Sequence, residues 1–331
     1  MRRRHIYFLA AKFAYNNIQR GQSYEFQTIY KSLNEALTSG TTTCEFVDPY
    51  QEFEPIEFNE KLKADTKAGK TVTIIYCPYI GLITPELFRS WGQYATLGMF
   101  FLDDTWRTEF VASYIGFCDW FTTSDPHYQH RYKNVNGSKP VYFPFGYDAT
   151  LASKYYKPFE QRDIAVSFLG ARDAFRSYVV TFLEARGIEV ACYGAGWANG
   201  TVNNEKFYEV LGRSQISLNL SNSSCWDLRF LLQHPRYLLR NLRTNKVIEQ
   251  FKARHLEIAA MGACQVSYYT QGLETILPIG TGVTVYPSIY EMPNIIERLT
   301  QEKIADASKK TQQLVKAFSY QRQFEKLLTS T

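Results

Sequence analysis

Short runs of β-branched and aromatic residues alternate with amphipathic helical stretches along almost the whole chain, and the alternation starts afresh in the middle. The first series has strand-like runs at residues 5–10, 44–47, 71–77, 97–102, 120–122 and 140–143. The second series has runs at residues 164–169, 189–193, 216–220, 265–268 and 283–286. Strands that alternate with helices favour parallel sheets covered by helices. The sequence therefore predicts an α/β chain with two doubly wound sheets.

A stretch rich in turn-forming residues, 144–158, separates the two series. The chain has 331 residues, enough for two domains of about 150 residues with a core each. We therefore expect one Rossmann-like domain over residues 1–150, a second over 159–305, and a C-terminal helix over 306–331. Ligands of such sheets bind at the carboxyl ends of the strands, so the residues that follow each strand are the candidates for a site.

Charged residues cluster in the helical pattern of residues 246–261, which runs into the strand at 265–268. Lys252, Arg254 and Glu257 lie close together there, and Gly262 permits a tight turn into the strand. Two cations beside one carboxylate suit a nucleotide diphosphate sugar. The cations can bind phosphate oxygens, and the carboxylate can accept hydrogen bonds from both ribose hydroxyls. The alternative is a solvated helix face with incidental charges.

Glycines follow the first two strands of the second series. Gly170 precedes a helix that carries Arg172 and Arg176 at its start. A helix N-terminus favours anions, so these arginines are candidates for binding a diphosphate. The alternative is a surface helix whose start carries two arginines. Gly194 and Gly196 lie in a loop that resembles a dinucleotide fingerprint, but no helix starts inside it. Contact with a nucleobase edge or a sugar therefore fits this loop better than a nicotinamide or flavin cofactor.

The chain resembles a GT-B glycosyltransferase in the spacing Gly170-x-Arg172-x-x-x-Arg176, in Lys252-x-Arg254-x-x-Glu257-x-x-x-x-Gly262, and in its long C-terminal helix. The closest subgroup is the spore-maturation CgeB-like, family-4-related enzymes (group 1 glycosyl transferases). Residues 119–124 and 144–148 also resemble the end of the family's first domain. The resemblance runs from about residue 97 to the end, whereas residues 1–96 match in outline only. It implies two domains facing a central cleft, with the acceptor on the first, the nucleotide sugar on the second, and the C-terminal helix packing back toward the first.

The resemblance also implies roles for single residues. Arg172 and Arg176 take the family's basic diphosphate-binding positions, and Glu257 takes the carboxylate that holds the donor ribose. Glu249 lies eight residues before Glu257, the spacing of a glutamate pair in many retaining members. The glycines that surround the first glutamate in the family are missing here, so Glu249 is either a catalytic group or an exposed helix residue. Gly21 is the only glycine in the loop after the first strand, where the family has a glycine-rich loop.

Two adjacent carboxylates follow the strand at 97–102. Asp103 is a candidate for steering an acceptor hydroxyl or acting as a general base. Asp104 precedes Thr-Trp-Arg-Thr-Glu, a pattern typical of a helix N-cap. His127 and His130 are expected on the surface of a short helix. Because no Asp-x-Asp pair of the kind used by metal-dependent GT-A enzymes occurs, we expect no essential metal and no cofactor besides the nucleotide sugar as co-substrate.

Charge and cysteine usage limit the cellular context. The net charge is +5, small and spread out, which argues against a nucleic-acid partner but permits contact with an anionic membrane. The six cysteines form no CxxC pair, as expected in a reduced compartment. The apolar run near the N-terminus is too short for a signal peptide or a membrane span. These features predict a cytoplasmic protein, and they are compatible with a location at the inner face of the membrane.

Residues 221–245 form an apolar, arginine-rich insert between the strand at 216–220 and the charged helix. It suits a membrane interface near a lipid-linked acceptor, and a helical hairpin that covers the sheet is the alternative. The resulting prediction is a retaining, metal-independent glycosyltransferase that moves a sugar from a nucleotide-activated donor to a glycan, lipid-linked or other acceptor. The alternatives are a sugar-nucleotide epimerase of the same fold and a non-catalytic protein that binds nucleotide sugars or a membrane surface.

Overall fold

A computed structural model describes residues 3–37, 41–51, 53–78, 83–132, 135, 137–220, 225–244, 246–299 and 301–330. Contacts within the chain divide it into two compact units. The first unit consists of Met1–Pro144 together with Tyr320–Thr331, and the second unit is Phe145–Ser319. The change from one unit to the other thus comes a few residues before the predicted boundary, and the last helix belongs with the first unit.

The described residues form eleven strands. In chain order they are β1 (Arg4–Leu9), β2 (Thr42–Val47), β3 (Thr71–Tyr76), β4 (Thr96–Met99), β5 (Trp120–Thr123), β6 (Lys139–Tyr142), β7 (Ile164–Leu169), β8 (Ala191–Tyr193), β9 (Ser214–Asn219), β10 (Cys264–Ser267) and β11 (Thr284–Val285).

The α-helices alternate with these strands. In chain order they are α1 (Lys31–Ala36), α2 (Pro55–Lys67), α3 (Pro85–Ser90), α4 (Thr108–Ile115), α5 (Tyr128–Arg131), α6 (Ala149–Tyr155), α7 (Ala174–Glu184), α8 (Asn204–Arg213), α9 (Leu228–Gln233), α10 (Pro235–Arg243), α11 (Ala253–Ala260), α12 (Leu273–Ile276), α13 (Met292–Arg298), α14 (Gln301–Leu314) and α15 (Tyr320–Ser330).

The first unit is built on a parallel sheet with the strand order β2-β1-β3-β4-β5-β6. Successive side chains of a strand point to opposite faces, so Ile6 and Phe8 pack with Ile29 and Leu33 while Tyr7 packs on the other side. Because helices cover both faces, the strands are almost continuously apolar. Helix α15 contributes Tyr320, Phe324 and Leu327 to the same layer as Ile6, all of them buried.

The second unit is built on a parallel sheet with the strand order β11-β10-β9-β7-β8. Val166 and Phe168 of β7 pack into one apolar layer, and Leu169 of the same strand packs into the opposite layer with Leu256 and Ile258 of α11. The chain leaves β7 toward β8 and then returns to the other side of β7 with β9. The order therefore reverses between β7 and β9, the position at which ligands of doubly wound sheets bind. The predicted α/β class with two doubly wound sheets is confirmed.

Several predicted elements have different bounds. The helix expected over residues 246–261 begins only at Ala253, because Lys252 has an extended backbone (φ −128°, ψ 160°) and acts as its N-cap. Glu25–Tyr30, directly before α1, form a π-helix.

The two connecting segments also differ from expectation. The turn-rich linker contains α6, capped by Asp148, whose carboxylate accepts from the Leu151 amide at 2.9 Å. The C-terminal segment 306–331 is not one helix, because α14 ends at Leu314 and a 3-10 turn precedes the extended residue Ser319 (φ −63°, ψ 148°). Only the part after this break, α15, lies in the first unit.

Candidate functional site

The carboxyl ends of β7 and β10 meet the start of α11 at the point where the strand order of the second sheet reverses. Arg254, in the first turn of α11, donates a hydrogen bond from Nη1 to the carbonyl of Leu169, the last residue of β7. Tyr268, directly after β10, donates from its hydroxyl to the carbonyl of Gln250 at 3.2 Å. These two contacts hold the first turn of α11, and the segment that leads into it, against the ends of both strands.

A buried histidine determines where α11 begins. The backbone N–H of Lys252 donates to Nδ1 of His255 at 3.1 Å, the side-chain half of a capping box. Nδ1 also lies 3.1 Å from the Lys252 carbonyl oxygen, and Nε2 lies 3.3 Å from Ser267 Oγ, so both ring nitrogens have a hydrogen-bond partner in either tautomer. The ring stacks on Phe251, with centroids 4.7 Å apart, and burial lowers the pKa of His255 to about 3. The imidazole is therefore neutral, and the positive end of the α11 dipole at this position favours an anion.

Arg254 and Glu257 form an ion pair one turn apart. Nε of Arg254 lies 3.2 Å from Oε2 of Glu257, whose side chain is 5% exposed. The guanidinium also lies over the ring of Phe207, 4.2 Å from its centroid. Each contact restricts the rotamers of a long side chain. Arg254 thus orients the predicted ribose-binding carboxylate and presents a fixed cation beside it.

Arg176 is a second cation close to this pair. It lies in the first turn of α7, where Asp173 caps the helix by accepting from the Arg176 amide at 2.8 Å. One guanidinium nitrogen, Nη1, donates to the carbonyl of Ala171 at 2.8 Å. Burial lowers the pKa of Arg176; Asp173 opposes this shift, and the nearby Arg254 adds to it.

The Nε–H group of Arg176 is buried, and among the described residues it has no hydrogen-bond acceptor. Asp173 Oδ2 lies 3.8 Å away, outside hydrogen-bond distance. A buried donor without an acceptor is costly, and two neighbouring guanidinium groups repel each other. Both costs would fall if an anion bound beside Arg176 and Arg254.

Arg172 is not brought to this position. Its side chain is exposed, donates from Nε to Ser177 Oγ at 2.7 Å, and lies over the ring of Trp197. It lines a shallow pocket between the start of α7 and the end of α9, with Tyr178 and His234. The predicted pair of diphosphate-binding arginines therefore separates into the half-buried Arg176 and the exposed Arg172.

The predicted glycines interlock the two loops that follow β7 and β8. The Gly170 amide donates to the Tyr193 carbonyl at 2.8 Å, and Trp197 Nε1 donates to the Gly170 carbonyl at 2.9 Å. Gly194 has φ +133°, and a Cβ there would lie 2.2 Å from the Gly170 carbonyl oxygen. Gly196 has φ +86° and packs against the Arg172 side chain. Close loop packing accounts for these glycines, and their contact with a nucleobase or sugar stays a prediction.

Glu249 lies before α11 and not on it, so its interpretation as a helix residue is wrong. It is half-buried in the segment that leads to Lys252. Burial raises the pKa of Tyr268 well above its ordinary value, and the negative charge of Glu249 contributes to the same shift. Glu249 is therefore close enough to Tyr268 for its charge to act on that hydroxyl. The charges of Arg176 and Arg254 act on the same hydroxyl and lower its pKa.

Two residues of this site were not predicted. Tyr268 looks like core in the sequence because it ends an apolar run, yet it lies among Glu249, Arg176 and Arg254. Asn219 ends β9, opposite Ser267, and its buried Nδ2 has no hydrogen-bond partner among the described residues. A polar residue at the end of the strand next to the reversal point is the signal that identifies it.

In the first unit, Asp104 and Asp103 have different surroundings. Asp104 is fully buried and accepts from Thr123 Oγ1 at 2.5 Å, Ser124 Oγ at 3.2 Å and the Tyr132 hydroxyl at 2.9 Å. The predicted N-cap role of Asp104 is wrong, because the N-cap of α4 is Arg107. Asp104 instead joins the end of β5 to Tyr132, which follows α5.

Asp103 is half-buried at the carboxyl edge of the first sheet. Burial raises the pKa of Glu25, the first residue of the π-helix, and Asp103 adds a smaller contribution. Burial also raises the pKa of Cys77, and the charges of Glu25 and Asp103 add to this upward shift. Three segments that follow different strands therefore meet at this edge.

The remaining expectations concern surface and sequence-wide features. His127 and His130 are exposed. Within the described ranges, no group of three or more His, Cys, Asp or Glu side chains is arranged to hold a metal ion. No helix among those ranges combines the length and apolarity that crossing a bilayer requires. The insert predicted over 221–245 includes residues 221–224 and 245, which lie outside the described residues; its described part contains α9 and α10.

Residues 176–329, just under half of the chain, match a family model described as "Glycosyl transferase-like". The two doubly wound sheets have the architecture that the resemblance implies. The resemblance to GT-B glycosyltransferases is confirmed. No curated protein matches the sequence. Assignment to the CgeB-like subgroup stays a prediction.

Solved GT-B structures resemble the whole chain. Sucrose-phosphate synthase from Thermosynechococcus elongatus has a TM-score of 0.62 at 13% identity, covering 99% of both chains. A glycosyltransferase from Rickettsia africae has a TM-score of 0.63 at 10% identity, covering 99% of this chain and 97% of that one. Anabaena HepE, solved in complex with UDP and glucose, has a TM-score of 0.60 at 12% identity, covering 99% of this chain and 100% of that one. At these identities the likeness shows the fold.

Proposed function

We propose that the protein transfers a sugar from a nucleotide-activated donor to a carbohydrate or lipid-linked acceptor, with retention at the anomeric carbon and without an essential metal or other cofactor. The glycosyl transferase-like match of residues 176–329 supports sugar transfer in general. The type of donor, the stereochemistry and the acceptor class are proposed in addition to this general activity. The protein would act in the cytoplasm and would not bind nucleic acid.

The observation that carries the proposal is the buried Nε–H of Arg176 beside a second guanidinium. Arg176 and Arg254 converge near Tyr268, and the start of α11 adds a positive dipole end. This combination suits the diphosphate of a nucleotide sugar, with Lys252 as a further cation. Glu257, held by Arg254 at 3.2 Å, is proposed to accept hydrogen bonds from ribose hydroxyls beside that diphosphate.

The proposed reaction breaks the bond between the anomeric carbon and the diphosphate oxygen and forms a bond from that carbon to the acceptor oxygen. The electron pair of the broken bond leaves with the diphosphate, and the acceptor hydroxyl gives up its proton. Cations aimed at the departing diphosphate stabilise the charge that develops there. Asp103 is proposed to steer the acceptor hydroxyl or take its proton, and Glu249 to act near the transferred sugar.

A two-stage experiment tests this proposal. A thermal-shift panel of nucleoside diphosphates identifies the nucleotide, since a ligand at 100 times its Kd stabilises the native state by about 2.7 kcal/mol. Release of nucleoside diphosphate from the matching sugar donor is then followed with and without added acceptors, and with EDTA. We expect release that depends on an acceptor and persists in EDTA. Conversion of the donor without an acceptor would indicate an epimerase, and binding without turnover would indicate a non-catalytic protein.

A further inference from the structure

Exposed apolar side chains are concentrated in one short part of the second unit. Eight of the fourteen large hydrophobic residues exposed in the described part of the chain fall within residues 226–248. They are Trp226, Leu228, Leu232, Leu238, Leu239, Leu242, Val247 and Ile248. Scattered single apolar residues are ordinary on protein surfaces, but a contiguous group marks an interaction site.

Helices α9 and α10 are held firmly on the second unit by their inner faces. Phe230 is fully buried and packs against Phe175 and Tyr178, with ring centroids 5.4 Å apart in both cases. Tyr237 packs against Phe230 at 4.8 Å, and the buried Asn241 donates to the carbonyl of Cys225. The outer face of the two helices is therefore presented on a fixed scaffold. We call its exposed residues, Leu228 to Arg243, the α9–α10 surface.

The residues of α10 divide into three sectors around the helix axis. Tyr237 and Asn241 face the protein. At about 100° per residue, Leu238, Leu239 and Leu242 form the next sector, and they are 41%, 56% and 68% exposed. Arg236, Arg240 and Arg243 form the third sector, which is also exposed.

The α9–α10 surface is purely cationic. Residues 228–243 contain four arginines and no Asp or Glu. The nearest carboxylate in the sequence, Asp227, caps α9 by accepting from the Phe230 amide at 3.0 Å and also accepts from the Tyr290 hydroxyl at 2.9 Å. Leucines and arginines thus lie side by side without a carboxylate of the same segment.

We propose that the α9–α10 surface docks the protein on an anionic lipid bilayer. The leucines would enter the boundary between headgroups and acyl chains, and the arginines would bind headgroup phosphates. A basic amphipathic helix with leucine on its apolar face lies in the plane of a membrane interface in this way. Anionic lipids attract nearby basic residues, and the attraction weakens with salt.

A second copy of the chain is a poorer occupant. A twofold contact places the same surface of each copy against the other. Because residues 228–243 contain no Asp or Glu, neither copy would then offer the arginines of the other an opposite charge from the same surface, and like charges in an interface are unfavourable. A bilayer rich in anionic lipid supplies the opposite charge and an apolar layer together. Docking does not depend on the proposed sugar transfer, and its test does not measure turnover.

The test is flotation of the full-length protein with vesicles of phosphatidylcholine, with and without phosphatidylglycerol. One variant combines Arg236→Gln, Arg240→Gln and Arg243→Gln, and a second combines Leu239→Asp and Leu242→Asp. Their matched controls are Arg186→Gln, an exposed arginine at the end of α7, and Ile56→Asp, which changes a side chain that is 78% exposed on α2.

We expect wild type and both controls to float with the anionic vesicles and not with pure phosphatidylcholine. Each arginine removed should lower the partition coefficient roughly fivefold, and the leucine variant should lose binding. Circular dichroism should show native folding for both variants, because every substituted side chain is exposed. If the leucine variant misfolds, the arginine variant carries the test alone. Absence of wild-type flotation, or equal binding to neutral vesicles, would overturn the proposal. So would a wild-type dimer that Leu239→Asp with Leu242→Asp dissociates.

Discussion

At the carboxyl edge of the first sheet, Asp104 is buried and accepts hydrogen bonds from Thr123, Ser124 and Tyr132. At the carboxyl edge of the second sheet, the buried Nε–H of Arg176 has no acceptor among the described residues. Both groups are charged side chains near the ends of parallel strands. The first has its partners within the protein, as a structural group does, whereas the second is proposed to be completed by a ligand. The hydrogen-bond partners of such a side chain, more than its position in the sheet, distinguish a structural role from a proposed ligand-binding role.

The largest expected effect concerns the stability of the first unit. Asp104→Ala removes the acceptor of two buried hydroxyl groups, those of Thr123 and Ser124, and of the half-buried Tyr132 hydroxyl. We therefore expect its free energy of unfolding to fall by about 3 kcal/mol or more. Chemical unfolding followed by circular dichroism measures this loss. Nucleoside diphosphate affinity should stay unchanged in protein that remains folded. A stable Asp104→Ala protein with impaired donor binding would reverse the comparison.

Substitution of the neighbouring Asp103 should lower turnover and leave stability unchanged, the opposite of what we expect for Asp104. Asp103→Asn keeps the shape of a half-buried side chain but removes a proposed base, so turnover should fall about a hundredfold while stability and nucleoside diphosphate affinity are retained. Steady-state kinetics with saturating donor measures the effect. Glu109→Gln, an exposed carboxylate on α4, is the matched control and should keep wild-type turnover. Wild-type turnover in Asp103→Asn would remove Asp103 from the proposed mechanism.

In the second unit, Arg176→Ala should weaken nucleoside diphosphate binding ten- to a hundredfold, because a charge-assisted hydrogen bond contributes roughly 1.5–3 kcal/mol. Isothermal titration calorimetry measures the affinity. Arg186→Ala is the control, since this arginine lies at the exposed end of α7 over the ring of Phe182. Arg172→Ala should have a smaller effect than Arg176→Ala, because its guanidinium is exposed. Equal affinities for wild type and Arg176→Ala would make Arg176 a structural residue like Asp104.

The smallest expected effect is that of a change of one pH unit below the ordinary pKa of histidine. Burial lowers the pKa of His255 from 6.5 to about 3, so between these values the unfolded chain binds a proton that the folded chain does not. The second unit should therefore lose stability as pH falls below about 6.5, by up to about 1.4 kcal/mol per pH unit. His255→Gln keeps the capping box and should flatten this dependence. Unfolding midpoints at several pH values measure it, with the exposed His127→Gln as a control. Identical slopes in wild type and His255→Gln would contradict a neutral buried ring.

The sheets could be predicted from the sequence because each buried strand is a short, nearly continuous run of apolar residues. The α11 boundary could not, since Val247 and Ile248 continue the apolar pattern although both are exposed outside the helix. The helix begins where the His255 ring accepts the Lys252 amide. A side chain that replaces a backbone partner leaves little trace in the periodicity of a sequence.

The site residues divide along the same line. The proximity of Arg254 and Glu257 could be predicted because the two residues lie one helical turn apart. The role of Asp104 could not, because its partners Thr123, Ser124 and Tyr132 lie 19, 20 and 28 residues further along the chain. Tyr268 could not be separated from the core by its residue type. Contacts between distant segments depend on the folded sheets and are not visible in local spacing.

The measurement that tests the central claim most directly combines Glu257→Gln with removal of the ribose 2′-hydroxyl from the ligand. Nucleoside diphosphate, its 2′-deoxy analogue and inorganic pyrophosphate are titrated into wild type and Glu257→Gln. If the Glu257 carboxylate binds the ribose, the substitution weakens nucleoside diphosphate binding by about 1–3 kcal/mol and leaves pyrophosphate binding nearly unchanged. The 2′-deoxy analogue then binds wild type less well and loses little further in the variant, a coupling that a double-mutant cycle reports. Strictly additive losses would show that Glu257 and the ribose do not interact, and would contradict a donor site at the start of α11.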